Sequence, residues 1–204
     1  MDALSFKERV KNEIIKNSKL YKENFIDVEY LICSEAFCCG FHIFKADEGN
    51  YLHLTGVHTD LSPEKFFEKC YNKTLEEADF DFIKPHKSEK SVKGSIREKI
   101  KVLPDMVRLF EKELLAQDNF KKNKIECAFA ASDNSCTLGF ATAGRPKSLL
   151  KGNKLDKEKA NKVDLIFRKT RSCEEPYTEL IFGSYVDIKK YEKRIKHLVS
   201  LDFN

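Results

Sequence analysis

The sequence predicts an α+β fold in which helices pack on a curved, mainly antiparallel β-sheet. Three observations carry that prediction. The first twenty or so residues repeat at helical spacing, β-rich runs separated by turn signals fill most of the C-terminal half, and helices and strands come in blocks rather than alternating as a parallel sheet requires. A chain of 204 residues fits one domain spanning 1–204. Its N-terminal helix is expected over 2–22 and its C-terminal helix over 187–201.

Leu4, Val10, Ile14 and Leu20 place an amphipathic stripe on the first helix. Three β-rich runs follow, "FIDVEYLICS", "CGFHIFKA" and "NYLHLTGV", the last two separated by the turn signal "DEGN" and read as neighbouring antiparallel strands. Ser62 is placed to cap a helix with Pro63 at its first position. "ADFDFI" reads as a short strand or an extended connector. From Ser91 to Leu115 the spacing is helical again through Ile96, Ile100, Leu103, Val107, Phe110 and Leu114, with Pro104 kinking or splitting the helix. Then come "IECAFAA", the turn "SDNS", "CTLGFATA", a long loop "GRPKSLLKGNKLDKEK", "KVDLIFRKT", the turn "RSCEEP" and "YTELIFGSYV".

Composition narrows the function. No apolar run is long enough for a membrane span, and the N-terminus carries acids and lysines throughout, so a cytoplasmic protein without membrane contact is expected. Seven Cys without a CxxC spacing read as reduced core thiols. Cys38, Cys39 and His42 lie close in sequence but lack a second ligand pair, so they are read as packing, and neither a metal nor another cofactor is expected. Charge is uneven: residues 84–101 carry seven Lys/Arg against two Glu, and residues 143–171 carry ten against three acids. Two basic segments point to a polyanion.

No Gly-rich phosphate loop and no nucleophile elbow is present. What remains is an inventory of histidines, hydroxyls and cations. Read as a strand, "YLHLTGV" places His53 and Thr55 on one face beside Tyr51, with His58 just past Gly56. Arg145, Lys147, Ser148 and Lys151 cluster in one loop, and Arg168, Lys169 and Arg171 end a strand opposite Tyr177 and Thr178. Such groups suit RNA phosphodiester cleavage, in which an imidazole moves protons and cations stabilise the phosphorane charge. Tyr51, Tyr177 and Phe140 are candidates for stacking a base. His42 reads as structural, and His86 and His197 as surface residues.

The order of these runs, with "NYLHLTGV", "FFEKCYNKTL", "ADFDFI", "TLGFATAGRPKSLL" and "KVDLIFRKT…YTELIFGS", resembles the phage-associated nuclease domains of the barnase, EndoU, colicin E5/D and RelE superfamily. The resemblance spans residues 5 to 185, with a nuclease-like core over about 25–185, and is most specific at His53-Leu54-Thr55-Gly56, the HLTG-type element of the fourth phage family. It implies metal-independent RNA cleavage through a 2′,3′-cyclic phosphate, with tRNA among the candidate targets. It also implies a phage or mobile-element setting in which a host protein or an immunity- or antitoxin-like partner is a candidate. By position, His53 and Thr55 match the family's polar pair, and Arg145 and Ser148 match its Pro-x-Ser segment. The expected catalytic set is His53, Thr55 and Lys169; the expected substrate contacts are Arg145, Ser148, Lys151, His58 and Tyr177. No strand glutamate stands out as a base.

Two other readings stay open. "HLT" and the "HKS" at residues 86–88 have the H-x-[ST] form of two-histidine phosphoesterases, which need both copies on facing strands. The third reading is a charged phage-type protein that binds a host protein or nucleic acid and breaks no bond.

Overall fold

The computed structural model describes residues 4–200. In chain order the elements are α1 (Phe6–Tyr21), β1 (Val28–Ser34), β2 (Phe41–Phe44), α2 (Asn50–Thr55), α3 (Pro63–Tyr71), α4 (Glu89–Met106), β3 (Leu115–Asp118), β4 (Lys121–Lys122), β5 (Ile125–Glu126), β6 (Phe129–Ser132), β7 (Cys136–Phe140), β8 (Pro146–Lys151), β9 (Asn161–Thr170), β10 (Glu179–Phe182) and α5 (Tyr185–Ile195).

Side-chain caps fix the helix starts. The Ser5 hydroxyl accepts from the Glu8 N–H at 3.0 Å, and Ser62, followed by Pro63, accepts from the Lys65 N–H at 3.2 Å, as expected for that segment. The N-terminal helix gives way at Lys22 to one wide π-turn through Ile26, which delivers Phe25 to the core. Pro104 lies in the last turn of α4, where it removes one backbone donor, and the helix ends two residues later at Met106.

The main sheet runs β2-β1-β9-β3-β6-β7-β8, all antiparallel, with β10 added beside β9. It curls into a half-barrel. The ten-residue β9 is its spine: β1 pairs along one side, while β3 and β10 share the other. Alternation along β1 and β9 divides two apolar layers. Tyr30, Ile32 and Ile166 face the helices α1 to α4 across the larger core, while Leu31, Cys33, Leu165 and Phe167 face α5. Curling brings the β7–β8 turn onto β2, where the Lys45 N–H donates to Gly144 O at 3.2 Å. A side chain at Gly144, which has φ +75°, would place its Cβ 1.9 Å from the carbonyl oxygen of Ile43, so only glycine allows that approach.

Four expectations need correction. "NYLHLT" is a helix, not a strand; Tyr51 and Leu54, three apart, both turn into the core, and Gly56 ends the helix in the left-handed conformation at φ +79°. "PKSLLK", read as part of a loop, forms the six-residue β8, five of whose residues pair with β7 over Cys136–Phe140. The α-helix expected to reach Leu115 ends at Met106, a single 3-10 turn covers Leu109–Glu111, and Leu115 opens the interior strand β3. The last helix runs Tyr185–Ile195 rather than 187–201, with Val199 bridged to Tyr177; residues 2, 3 and 201 of the expected end helices lie outside the described residues.

Candidate active site: a lysine-lined cleft

Two adjoining hollows open where α2, the turn after residue 83, α4 and β8 meet. The larger, of about 730 Å³, is lined by Lys84, Lys87, Lys99, Lys151 and Lys154 together with Gly56, Ser95, Glu98 and Ser148. The smaller, of about 420 Å³, carries His53 and His58 and shares Gly56, Lys84 and Lys87 with the first. The two basic segments seen in sequence therefore converge: Lys84, Lys87 and Lys99 come from one, Ser148, Lys151 and Lys154 from the other.

The HLTG element builds the join. His53 is exposed on α2, while its carbonyl oxygen, near the helix end, accepts a 2.7 Å hydrogen bond from Lys99 Nζ. Gly56 makes room for this lysine: a Cβ there would lie 2.9 Å from Lys99 Cδ. Burial of the Lys99 ammonium, reinforced by repulsion from Lys84 and Lys87, pushes its pKa down to about 8. Burial and then Lys87 also lower Lys84. Opposite, Lys151 Nζ holds the Glu98 carboxylate at 2.9 Å and keeps it below its ordinary pKa. Among the described residues no carboxylate lies within ion-pair distance of Lys84, Lys87 or Lys154, so the cleft is strongly electropositive.

The fold brings together only part of the expected site. Ser148 and Lys151 lie on the main cleft wall and His53 and His58 in the adjoining hollow. His58 Nδ1 is 3.0 Å from Asp81 Oδ1, and the backbones of the two residues bridge. Thr55, expected beside His53, is fully buried on the other side of α2, and its hydroxyl donates to Leu52 O at 2.8 Å. Helical geometry separates residues two apart, whereas a strand would have aligned them. Arg145 is exposed at the β7–β8 turn, with Nε 3.1 Å from Asp47 Oδ2, and does not line the cleft. Lys169 and Tyr177 lie on the α5 face of the sheet: the Lys169 ammonium sits 4.8 Å from the Tyr177 ring centroid, and the Tyr177 hydroxyl donates to Glu29 Oε1 at 2.5 Å.

Tyr51, Tyr177 and Phe140, considered for base stacking, are each at most 1% exposed and belong to the core. The two-histidine arrangement is not formed, because "HLT" is helical with Thr55 sealed inside and His86 sits in a turn at φ +61°. His42 Nε2 lies 2.9 Å from Asp118 Oδ1 with its ring stacked on Phe129, while Cys38 and Cys39, expected to be packed, are exposed. Among the described residues no three His, Cys, Asp or Glu side chains gather as a metal cluster. The sequence reading did not single out Lys84, Lys87, Lys99 or Lys154. Their signal was the charge run itself, which names a segment and not the side chains that turn inward.

The model of the family described as phage-Barnase-EndoU-ColicinE5/D-RelE like nuclease 4, PBECR4, matches residues 13–184. The chain belongs to that family. The PBECR4 match takes in α1 from its second turn, every strand of the curled sheet and both hollows, and ends as α5 begins. A nuclease domain of the phage type is thereby established for nearly the whole chain. No curated protein and no solved structure matches it. No helix among the described residues is long and apolar enough to cross a membrane.

Proposed function

We infer that this PBECR4 domain is a metal-independent endoribonuclease that cleaves RNA, tRNA among its targets, through a 2′,3′-cyclic phosphate, with the lysine cleft as its active site. The observation that carries the reading is the meeting of both basic segments beside His53 in a chain of a nuclease family. Lysines supply the positive charge that a phosphodiester and its pentacoordinate transition state require. A wall of five lysines, whose one glutamate is already held by Lys151, attracts phosphate and repels a divalent cation. His53, exposed at the rim, is the proton-transfer group, with His58, Ser148 and Lys151 positioned to contact substrate. The domain works in the cytoplasm, where RNA is available.

The test is incubation of wild-type and His53→Ala protein with bulk bacterial RNA, including tRNA, in EDTA, followed by sequencing of fragment ends. Discrete fragments ending in 2′,3′-cyclic phosphates, lost in the variant while its Tm holds, are expected. Intact RNA after incubation with folded wild-type protein would overturn the reading. Salt-sensitive RNA binding retained by both proteins would then support the rival, a nucleic-acid-binding protein that breaks no bond. The one observation favouring that rival is the lack of an unpaired carboxylate on the cleft wall.

A further inference from the structure

We propose that Lys99 is a second catalytic residue of the cleft, the general acid that protonates the leaving oxygen. The role rests on the nuclease reading above and adds the partner that a two-step proton transfer needs. In the cyclising step the substrate 2′-oxygen bonds to phosphorus and gives its proton to the His53 imidazole. The bond from phosphorus to the 5′-oxygen breaks, and that oxygen takes a proton from the Lys99 ammonium.

Geometry singles out Lys99 among the cleft lysines. It lines the main cleft, while its hydrogen bond to the His53 carbonyl ties it to the residue that opens the neighbouring hollow. Gly56 removes the side chain that would block its path. Lys84 and Lys87, from the turn, repel its charge, and Lys151 from β8 and Lys154 from the loop after it line the same cleft. Glu98, the neighbouring residue on α4, is taken by Lys151, and His58 beyond Gly56 is paired with Asp81. With no carboxylate to hold its proton and a pKa of about 8, Lys99 is protonated at neutral pH and still a competent donor. Its bond to the end of α2 would by itself be a structural role, so the test must read proton transfer.

The experiment follows the pH dependence of kcat/KM, which reports the free enzyme, for wild-type, Lys99→Arg and Lys99→Met protein on bulk bacterial tRNA in EDTA. Wild-type activity is expected to fall above about pH 8. Lys99→Arg keeps the charge but cannot release the proton, so it should lose roughly a hundredfold in rate and also lose that falling limb. In parallel, lysines carrying ¹³C-methyl groups are titrated by NMR without RNA, the Lys99 signal being the one absent from Lys99→Arg. It should titrate well below the others. Retention of wild-type rate and falling limb in Lys99→Arg, or a Lys99 signal titrating with the remaining lysines, would overturn the role while leaving the nuclease reading intact. Wild-type protein that cleaves no RNA would overturn both.

Discussion

Gly56→Ala and Gly94→Ala are the same chemical change with opposite expected signs. Gly56 sits at φ +79°, where an L side chain costs about 1–2 kcal/mol, and its new methyl would lie 2.9 Å from Lys99 Cδ. The flexible lysine stem must swing away and give up its hydrogen bond to His53 O, adding about 1 kcal/mol. Gly94 lies inside α4 with nothing within 4 Å of a built Cβ, so alanine there should stabilise by about 0.5–1 kcal/mol through helix propensity alone. Urea denaturation monitored by circular dichroism should therefore separate the two variants by at least about 2 kcal/mol at unchanged m-value. RNA cleavage should fall in Gly56→Ala and persist in Gly94→Ala. A Gly56→Ala midpoint equal to or above wild type would show that neither the backbone conformation nor the lysine approach constrains this site, and would refute the account of why the HLTG element ends in glycine.

Three further outcomes test the placement of individual residues. Thr55→Val removes only the internal hydrogen bond to Leu52 O, so it should cost about 1 kcal/mol in the same assay while retaining cleavage; a hundredfold rate loss at unchanged stability would restore Thr55 to the site. Lys169→Met, on the α5 face, should leave the rate of RNA cleavage within a factor of about two, because its partners are Glu29 and Tyr177 and not the cleft. Burial works to raise the pKa of Asp133, but hydrogen bonds from Lys112, Ser135 and the Cys136 N–H outweigh it and hold the carboxyl below its usual 3.8. Its depressed folded pKa means that this stabilisation is present above the unfolded value and is lost as pH falls through the folded one. Asp133→Asn should accordingly lower stability by about 1–2 kcal/mol at pH 7 and flatten the acid limb of the stability profile below pH 4; an unchanged acid limb would count against the pair.

The α+β class was legible because it depends on pattern summed over long segments. The seven residues of "VEYLICS" and the ten of β9 alternate or stay apolar long enough to distinguish a period of 2 from one of 3.6. Six residues are too few for that distinction. "NYLHLT" contains Tyr, Leu and Thr at strand-like spacing, yet Tyr51 and Leu54 also satisfy a helix, and only the surrounding core decides between them. That single change of period turned Thr55 inward and left His53 outside. β8 was hidden differently: its lysines and prolyl start suggest a loop, and it pairs at the end of the main sheet, where exposed Lys147 and Lys151 are readily accommodated. Charge runs did locate the cleft, since both supply its walls. Which lysines face one another depends on the curl of the sheet, whereas Lys169 and Tyr177 are out of reach because they lie on its other, α5 face.

The contact of Gly144 with Ile43 also makes the cleft a late product of synthesis. A nascent chain that has passed α4 already holds Lys84, Lys87 and Lys99, but the wall carrying Ser148, Lys151 and Lys154 does not yet exist. Once made, that wall is seated by folding the β7–β8 turn back onto the early strand β2, a closure over about half of the chain and therefore entropically costly and slow. A chain stopped before β8 carries the lysines of one wall and no cleft. The lysine cleft thus takes shape only once β8 and the loop after it have been made.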